Sequence, residues 1–556
     1  MLRAAPWVTT ALLLGPILAG LFGTLLPAFG WLPALGGNGF SLDPWRALLA
    51  TPGLGRAVAL SLGTGLAATL LSFLLVIGFC AATQGSRLAR RAQAALAPLL
   101  AAPHAALAVG FAFLVAPSGW LARAFSPWAT GWERPPDLAT VNDPWGIALV
   151  AGLMLKEAPY LLLMAYAGLG QLRTAATMRT AAALGYGPVV GWLKLVLPQL
   201  YPLLRFPLMA VLAFSLSVVD VALILGPGTP PTLAALLLRW FQDRDLAQWF
   251  PAAAGAVLLL ALVLAAIAAW QLAARGVAAL GRRWIEGGAR GGDALALSAA
   301  AIAAMVLLLA ASAGALLSLL AWSFAGPWRF PEALPASWTL ATWGAQLPGL
   351  AGPALTTLGL GLASTAIGLV LVLACLEAGR RSGPSRLLAA KWLPLLLPQI
   401  AFLFGWQVAL VRLGLDGSWL ALIWTHLLFV MPYLFLTLAD PWTALDPRHA
   451  RSAAALGAGP WRVFFAVTCK LMLRPLLAAA AVGFAVSTSL YLPTLFAGAG
   501  RVATLATETV ALAGGADRRV LGTTAALQAV LPLLAYALAV ALPAWLHRNR
   551  AGMRPA

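Results

Sequence analysis

Twelve stretches of mostly apolar residues recur along the chain, near 7–29, 58–82, 94–116, 145–168, 203–226, 250–275, 297–324, 353–378, 387–411, 418–439, 474–497 and 523–546. About 20 such residues in a helix cross the roughly 30 Å of hydrocarbon in a bilayer. Lipid offers backbone N–H and C=O groups no partner, so each stretch is expected to close its hydrogen bonds internally as a helix. The sequence therefore predicts an all-α polytopic membrane protein with about twelve transmembrane helices. Composition agrees: 62% of the 556 residues are hydrophobic and 10% charged, against about 45–50% and about 25% in soluble domains. Pro394 and Pro398 interrupt the ninth stretch, which is tolerable where neighbouring helices or water satisfy the freed carbonyls.

The net charge of +19 is distributed as a topology signal. With the N-terminus inside, alternate loops collect Arg3; Arg87, Arg90 and Arg91; Arg173, Arg179 and Lys194; Arg275, Arg282, Arg283 and Arg290; Arg380, Arg381, Arg386 and Lys391; Arg448, Arg451, Arg462, Lys470 and Arg474; and Arg548, Arg550 and Arg554. Only Glu286, Asp293, Glu377, Asp440 and Asp446 oppose them on that side. Excess Lys and Arg in short cytoplasmic loops orients such chains. A multi-pass membrane protein with both termini cytoplasmic is expected, its partner the lipid bilayer and not nucleic acid. Cys80, Cys375 and Cys469 are scattered, read as small apolar packers and not as a metal or disulfide set.

The chain repeats itself. PGLGRAVALSLGTGL at 52–66 aligns with PGLAGPALTTLGLGL at 348–362, an offset of 296 that stays close for Pro98 with Pro394 and Pro103 with Pro398. RTAAALGYGP at 179–188 matches RSAAALGAGP at 451–460 at an offset of 272, which also pairs Thr232-Leu233 with Thr504-Leu505. A shorter outside loop in the second half accounts for the shrinkage. The expected organisation is two parallel six-helix repeats, 1–285 and 286–556, joined by a basic Gly-rich linker at 276–293. Parallel repeats of this kind place a transport pathway at their interface.

The repeated loops between the fourth and fifth spans are the most specific signal. In MRTAAALGYGPVVGWLKLVLPQLYP (178–202), an Ala-rich helix runs to Leu184 and Gly185 stands where a left-handed residue would end it. Pro188 then suits the first turn of a second helix, whose Val189, Trp192, Leu193 and Val196 share one apolar face. Lys194 is expected to face headgroups or a partner. The second loop, 450–475, repeats this plan with Gly457, Gly459, Pro460 and an apolar face from Trp461, Phe464 and Phe465.

These paired loops resemble the EAA motif of binding-protein-dependent ABC import permeases, and the resemblance covers essentially the whole chain. It is most similar to fused two-half permeases of the thiamine and ferric-iron type, built from MetI-like transmembrane domains. The resemblance implies that each loop carries a coupling helix docking in a groove on an ATPase subunit. The motif glycines carry over as Gly185 and Gly457, and its small-residue positions as Ala181, Ala182, Ala453 and Ala454. Gly187, Pro188, Trp192, Gly459, Pro460 and Trp461 belong to the same loops. The chain departs from the motif at its acidic position, where Thr180 and Ser452 stand, and the second loop has Cys469-Lys470 in place of Leu197-Pro198. Two copies of an ATP-binding subunit and a periplasmic solute-binding protein are the implied partners. The implied cargo is thiamine or a related small cation, followed by ferric iron, polyamines and oxyanions.

The chain is not expected to be an enzyme. A phosphate-binding loop needs a Lys followed by Ser or Thr, whereas Lys156, Lys194, Lys391 and Lys470 precede Glu, Leu, Trp and Leu. No catalytic residue, metal site or cofactor is expected, with ATP bound by the partner subunits; His104, His426, His449 and His547 are isolated in sequence. Lys156, Glu157 and Asp220 fall within spans, where ionisable groups are costly and mark a pathway or an internal bridge. They are the candidate translocation residues, although their counterparts Val430 and Leu492 are apolar. The competing reading is an ion-gradient transporter of the twelve-span facilitator type, whose Gly/Asp/Arg-rich loop would correspond to QGSRLARR (84–91), which lacks an acid.

Overall fold

A computed structural model of the protein describes residues 2–546 except 293 and 384, together with 548. Asp293, His547, Arg550 and Arg554 lie outside the described residues. The architecture is helical, with one two-stranded hairpin pairing Trp31–Leu32 with Gly37–Asn38. The principal helices are α1 (Ala5–Ala28), α2 (Leu54–Thr83), α3 (Arg87–Ala101), α4 (His104–Val115), α5 (Ile147–Gln171), α6 (Thr174–Ala183), α7 (Pro188–Leu195), α8 (Leu197–Ser217), α9 (Asp220–Leu225), α10 (Leu233–Phe241), α11 (Trp249–Glu286), α12 (Leu295–Phe324), α13 (Ala341–Ser382), α14 (Gln399–Arg412), α15 (Trp419–Ala444), α16 (Pro447–Ala455), α17 (Leu473–Ser489), α18 (Leu492–Ala497), α19 (Leu505–Leu512) and α20 (Arg518–Leu546). Among the described residues, ten helices are long and apolar enough to cross a membrane. Two bent pairs, Leu387–Leu396 with Gln399–Arg412 and Pro460–Leu471 with Leu473–Ser489, bring the number to as many as twelve when each pair is counted as one span.

Four of the expected spans are not continuous. The stretch at 94–116 is two helices, α3 and α4, separated at Ala102–Pro103, where Ala102 is extended. The stretch at 387–411 bends by 109° across Leu397–Pro398. Proline has no N–H to give and drives its predecessor out of the helical region, so each break follows from its proline. The stretches at 203–226 and 474–497 break after Ser217 and Ser489, where Val218 and Leu490 are extended. The linker also differs from expectation: α11 continues through Gly276 to Glu286, so only the Gly-rich part from Gly287 is non-helical.

Long-range packing ties the segments 1–285 and 286–556 together. Helix α1 lies along α14, and α12 lies along α4. Small residues allow the backbones to meet: a Cβ on Gly405 would overlap the Gly20 carbonyl oxygen, and one on Gly110 the Ala315 carbonyl oxygen. In lipid, where apolar surface gains little from helix contact, such close van der Waals approach is a main source of association. Thr24 Oγ1 accepts the Gly405 N–H at 3.1 Å, and Trp424 Nε1 donates to the Leu12 carbonyl at 2.9 Å. The repeat offsets reappear in a matched pair of hydrogen bonds: Leu233 N–H donates to Ser61 Oγ at 2.8 Å, and Leu505 N–H to Thr357 Oγ1 at 2.9 Å.

Candidate translocation cavity and coupling loops

The helix breaks converge on one cavity of about 280 Å³. The ends of α3 and α4, the middle of α5, the α8–α9 break, Pro394 to Gln399, α15 and the α17–α18 break all contribute lining residues. Lys156, Glu157 and Asp220, which the sequence marks as candidate translocation residues, all face it. The opposing wall supplies Phe429, Tyr433, Ser489, Tyr491 and Leu492. Of the apolar counterparts of the two carboxylates, Leu492 lines the cavity and Val430 is buried in the core.

The ionisable groups differ in how they are engaged. Lys156 Nζ donates to the Leu100 carbonyl at 2.7 Å and to the Ala102 carbonyl. These oxygens are left open where α3 stops before Pro103, so the ammonium caps the broken helix, a favourable place for a cation. Glu157 Oε1 lies 3.9 Å from His104 Nε2, and its carboxylate is buried. His104 was isolated in sequence, but the Pro103 break brings its ring to the cavity wall, 4.8 Å from the Phe214 ring. Tyr160 and Tyr433 face the cavity as well. Sequence reasoning passed over both, although Pro159-Tyr160 and Pro432-Tyr433 form a repeated dipeptide that could have marked them. His426 is a core residue: its ring nitrogens pair with Ser487 Oγ at 2.7 Å and Thr494 Oγ1 at 3.0 Å. Cys80 and Cys375 are buried and Cys469 is partly so, and no group of three potential metal ligands is found among the described residues.

The first loop has the turn its glycines predict. Gly185 is left-handed at φ +80° after α6, and Pro188 opens α7 with Gly187 as its N-cap. Val189, Trp192 and Val196 are buried, so the apolar face packs inward, with Ala181 beneath it. Gln84 Nε2 donates to the Pro188 carbonyl at 3.1 Å, tying α7 to the end of α2. One expectation fails. Lys194 does not face headgroups or a partner: it is buried, and Nζ donates to the Trp284 and Ala289 carbonyls at 2.8 and 2.6 Å. Its ammonium also lies 4.6 Å from the Trp284 ring centroid, a cation–π contact.

The second loop keeps the turn but not the packing. Gly457 is left-handed at φ +84°, and Pro460 follows Gly459 at the helix start. Asp446 caps the preceding α16, and the Arg448 N–H and guanidinium hold its carboxyl below the usual carboxylate range. The helix after Pro460 winds into a π-helical turn over Phe464–Thr468. The predicted apolar face of Trp461, Phe464 and Phe465 does not turn inward as one. Trp461 is 75% exposed and Phe465 61%, their rings stacked at 6.0 Å, while Phe464 alone sits against Trp442. Ala453 and Ala454 precede this turn on α16, Ala454 facing a cleft of about 450 Å³ toward Arg380 and Arg381. Beyond the first loop, Phe206 on α8 packs against Trp392, which precedes Pro394, with ring centroids 4.9 Å apart.

No protein-family model matches the chain. Over 556 residues it is 35% identical to an inner membrane ABC transporter permease protein, YnjC, of Escherichia coli strain K12, covering 98% of both chains. The chain belongs to the inner-membrane permeases of ABC transporters.

Proposed function

We propose that this permease is the fused, two-half translocation subunit of an importer, with residues 1–285 and 286–556 as its halves. Two ATPase subunits dock on the cytoplasmic loops around 186–197 and 458–469, and a periplasmic binding protein delivers solute on the opposite face. The observation that carries this reading is the pair of left-handed glycines, Gly185 and Gly457, each followed by a helix opening on proline. Closure of an ATPase dimer then moves both short helices as levers and reopens the cavity to the other side. The matched Ser61–Leu233 and Thr357–Leu505 hydrogen bonds support the two-half organisation.

The cavity favours a small cation, thiamine or a relative, as the solute. It presents Glu157 and Asp220 among Tyr160, Tyr433 and Phe214, while the Lys156 ammonium is engaged by carbonyls. Carboxylates and aromatic faces both attract cations. The docking assignment is tested by Gly185→Arg combined with Gly457→Arg. The double variant is expected to reach the membrane yet lose co-purification with its ATPase subunit; retained binding would refute the assignment.

A further inference from the structure

The two turns proposed to meet the ATPase are not equally open. Around Gly457 and Gly459, an added Cβ would meet nothing within 4 Å. Around Gly185 and Gly187 the Gly-rich linker lies directly on the turn. Gly187 N–H donates to the Arg290 carbonyl at 3.1 Å, and a Cβ on Gly187 would come within 2.6 Å of the Gly292 carbonyl oxygen. The Arg290 side chain reaches 3.4 Å from the Cβ position of Gly185. Gly291, left-handed at φ +65°, passes so close to Val190 that any side chain there would collide with it.

We propose that residues 284–292 are a fixed part of the docking surface at the first loop, so that one chain offers its two ATPase subunits two different surfaces. The first is composite, linker backbone fronted by Arg290. The second is a bare aromatic surface of Trp461 and Phe465. This inference rests on the coupling role proposed above. The linker is anchored and not merely laid on: the buried Lys194 ammonium holds the Ala289 carbonyl of the linker together with the Trp284 carbonyl in the last turns of α11, and lifting the linker would take away one of these two partners. Unpairing a buried charge is among the costliest changes a fold can undergo. A partner arriving at Gly185 therefore meets the exposed Arg290 guanidinium, which calls for a carboxylate or carbonyl acceptor on the ATPase at that site.

The test is tryptic cleavage after Arg290 in the full-length permease, alone and bound to the ATPase subunit that co-purifies with it. A composite surface predicts cleavage at least about tenfold slower in the complex, and weaker ATPase binding by Arg290→Glu at an unchanged melting temperature. Faster cleavage in the complex would mean that the ATPase displaces the linker, and unchanged cleavage that the linker lies outside the interface; either overturns the proposal. If the wild-type permease retains no ATPase at all, the coupling role itself falls, and the composite surface with it.

Discussion

Lys156 and Glu157 are neighbours in sequence with opposite assignments. The lysine spends its charge on the Leu100 and Ala102 carbonyls, which no helix turn satisfies. Replacing it by methionine leaves both oxygens buried without a donor, at about 1–3 kcal/mol for each. Lys156→Met is therefore expected to lower the melting temperature of the detergent-solubilised protein. The glutamate has His104 at 3.9 Å and otherwise faces the cavity. Glu157→Gln is expected to leave melting and membrane abundance unchanged while cutting solute uptake about tenfold or more, the effect of losing one contact to a charged group worth about 1.5–3 kcal/mol. Unchanged uptake would remove Glu157 from the pathway. The sequence could mark these residues as costly within lipid, but it could not divide the roles. That division depends on where α3 stops, and so on Pro103, more than fifty positions away.

At the level of elements, the two short helices proposed to meet the ATPase share a sequence plan and differ in exposure. Trp192 is 1% exposed and Trp461 75%. Truncating a core tryptophan typically costs about 3–5 kcal/mol, so Trp192→Ala is expected to reduce the yield of folded protein. Trp461→Ala is expected to leave folding intact and weaken ATPase binding by about 2 kcal/mol, the scale of an interface hot spot; equal binding would show that the second loop docks through other atoms. The turn geometry was legible because Gly and Pro act locally: φ at Gly185 and Gly457, and the helix starts at Pro188 and Pro460, follow from single residues. The inward face of α7 was legible from its periodicity. The fate of Lys194 was not, since its partners Trp284 and Ala289 are about ninety residues away and nothing in the local pattern points to them. The break after Ser217 has no proline at its centre and was equally hidden.

Across the whole molecule, apolar stretches were sufficient to predict an all-α polytopic bundle, of which ten to twelve candidate spans are found, because lipid leaves a backbone so few alternatives. The mutual embrace of α1 with α14 and α12 with α4 could not be read that way. It rests on glycines such as Gly20, Gly405 and Gly110, whose role appears only when two distant backbones meet. The cavity is lined from both segments, with residues at or beside the breaks at Pro103, Pro398, Val218 and Leu490 among those that face it. As a permease of an ABC transporter, the chain works with ATPase partner subunits. The decisive measurement is solute uptake into proteoliposomes holding the permease, its ATPase subunit and its binding protein. Uptake should require ATP together with all three components and should be indifferent to proton or sodium gradients. Uptake by the permease alone, driven by an ion gradient, would contradict the account.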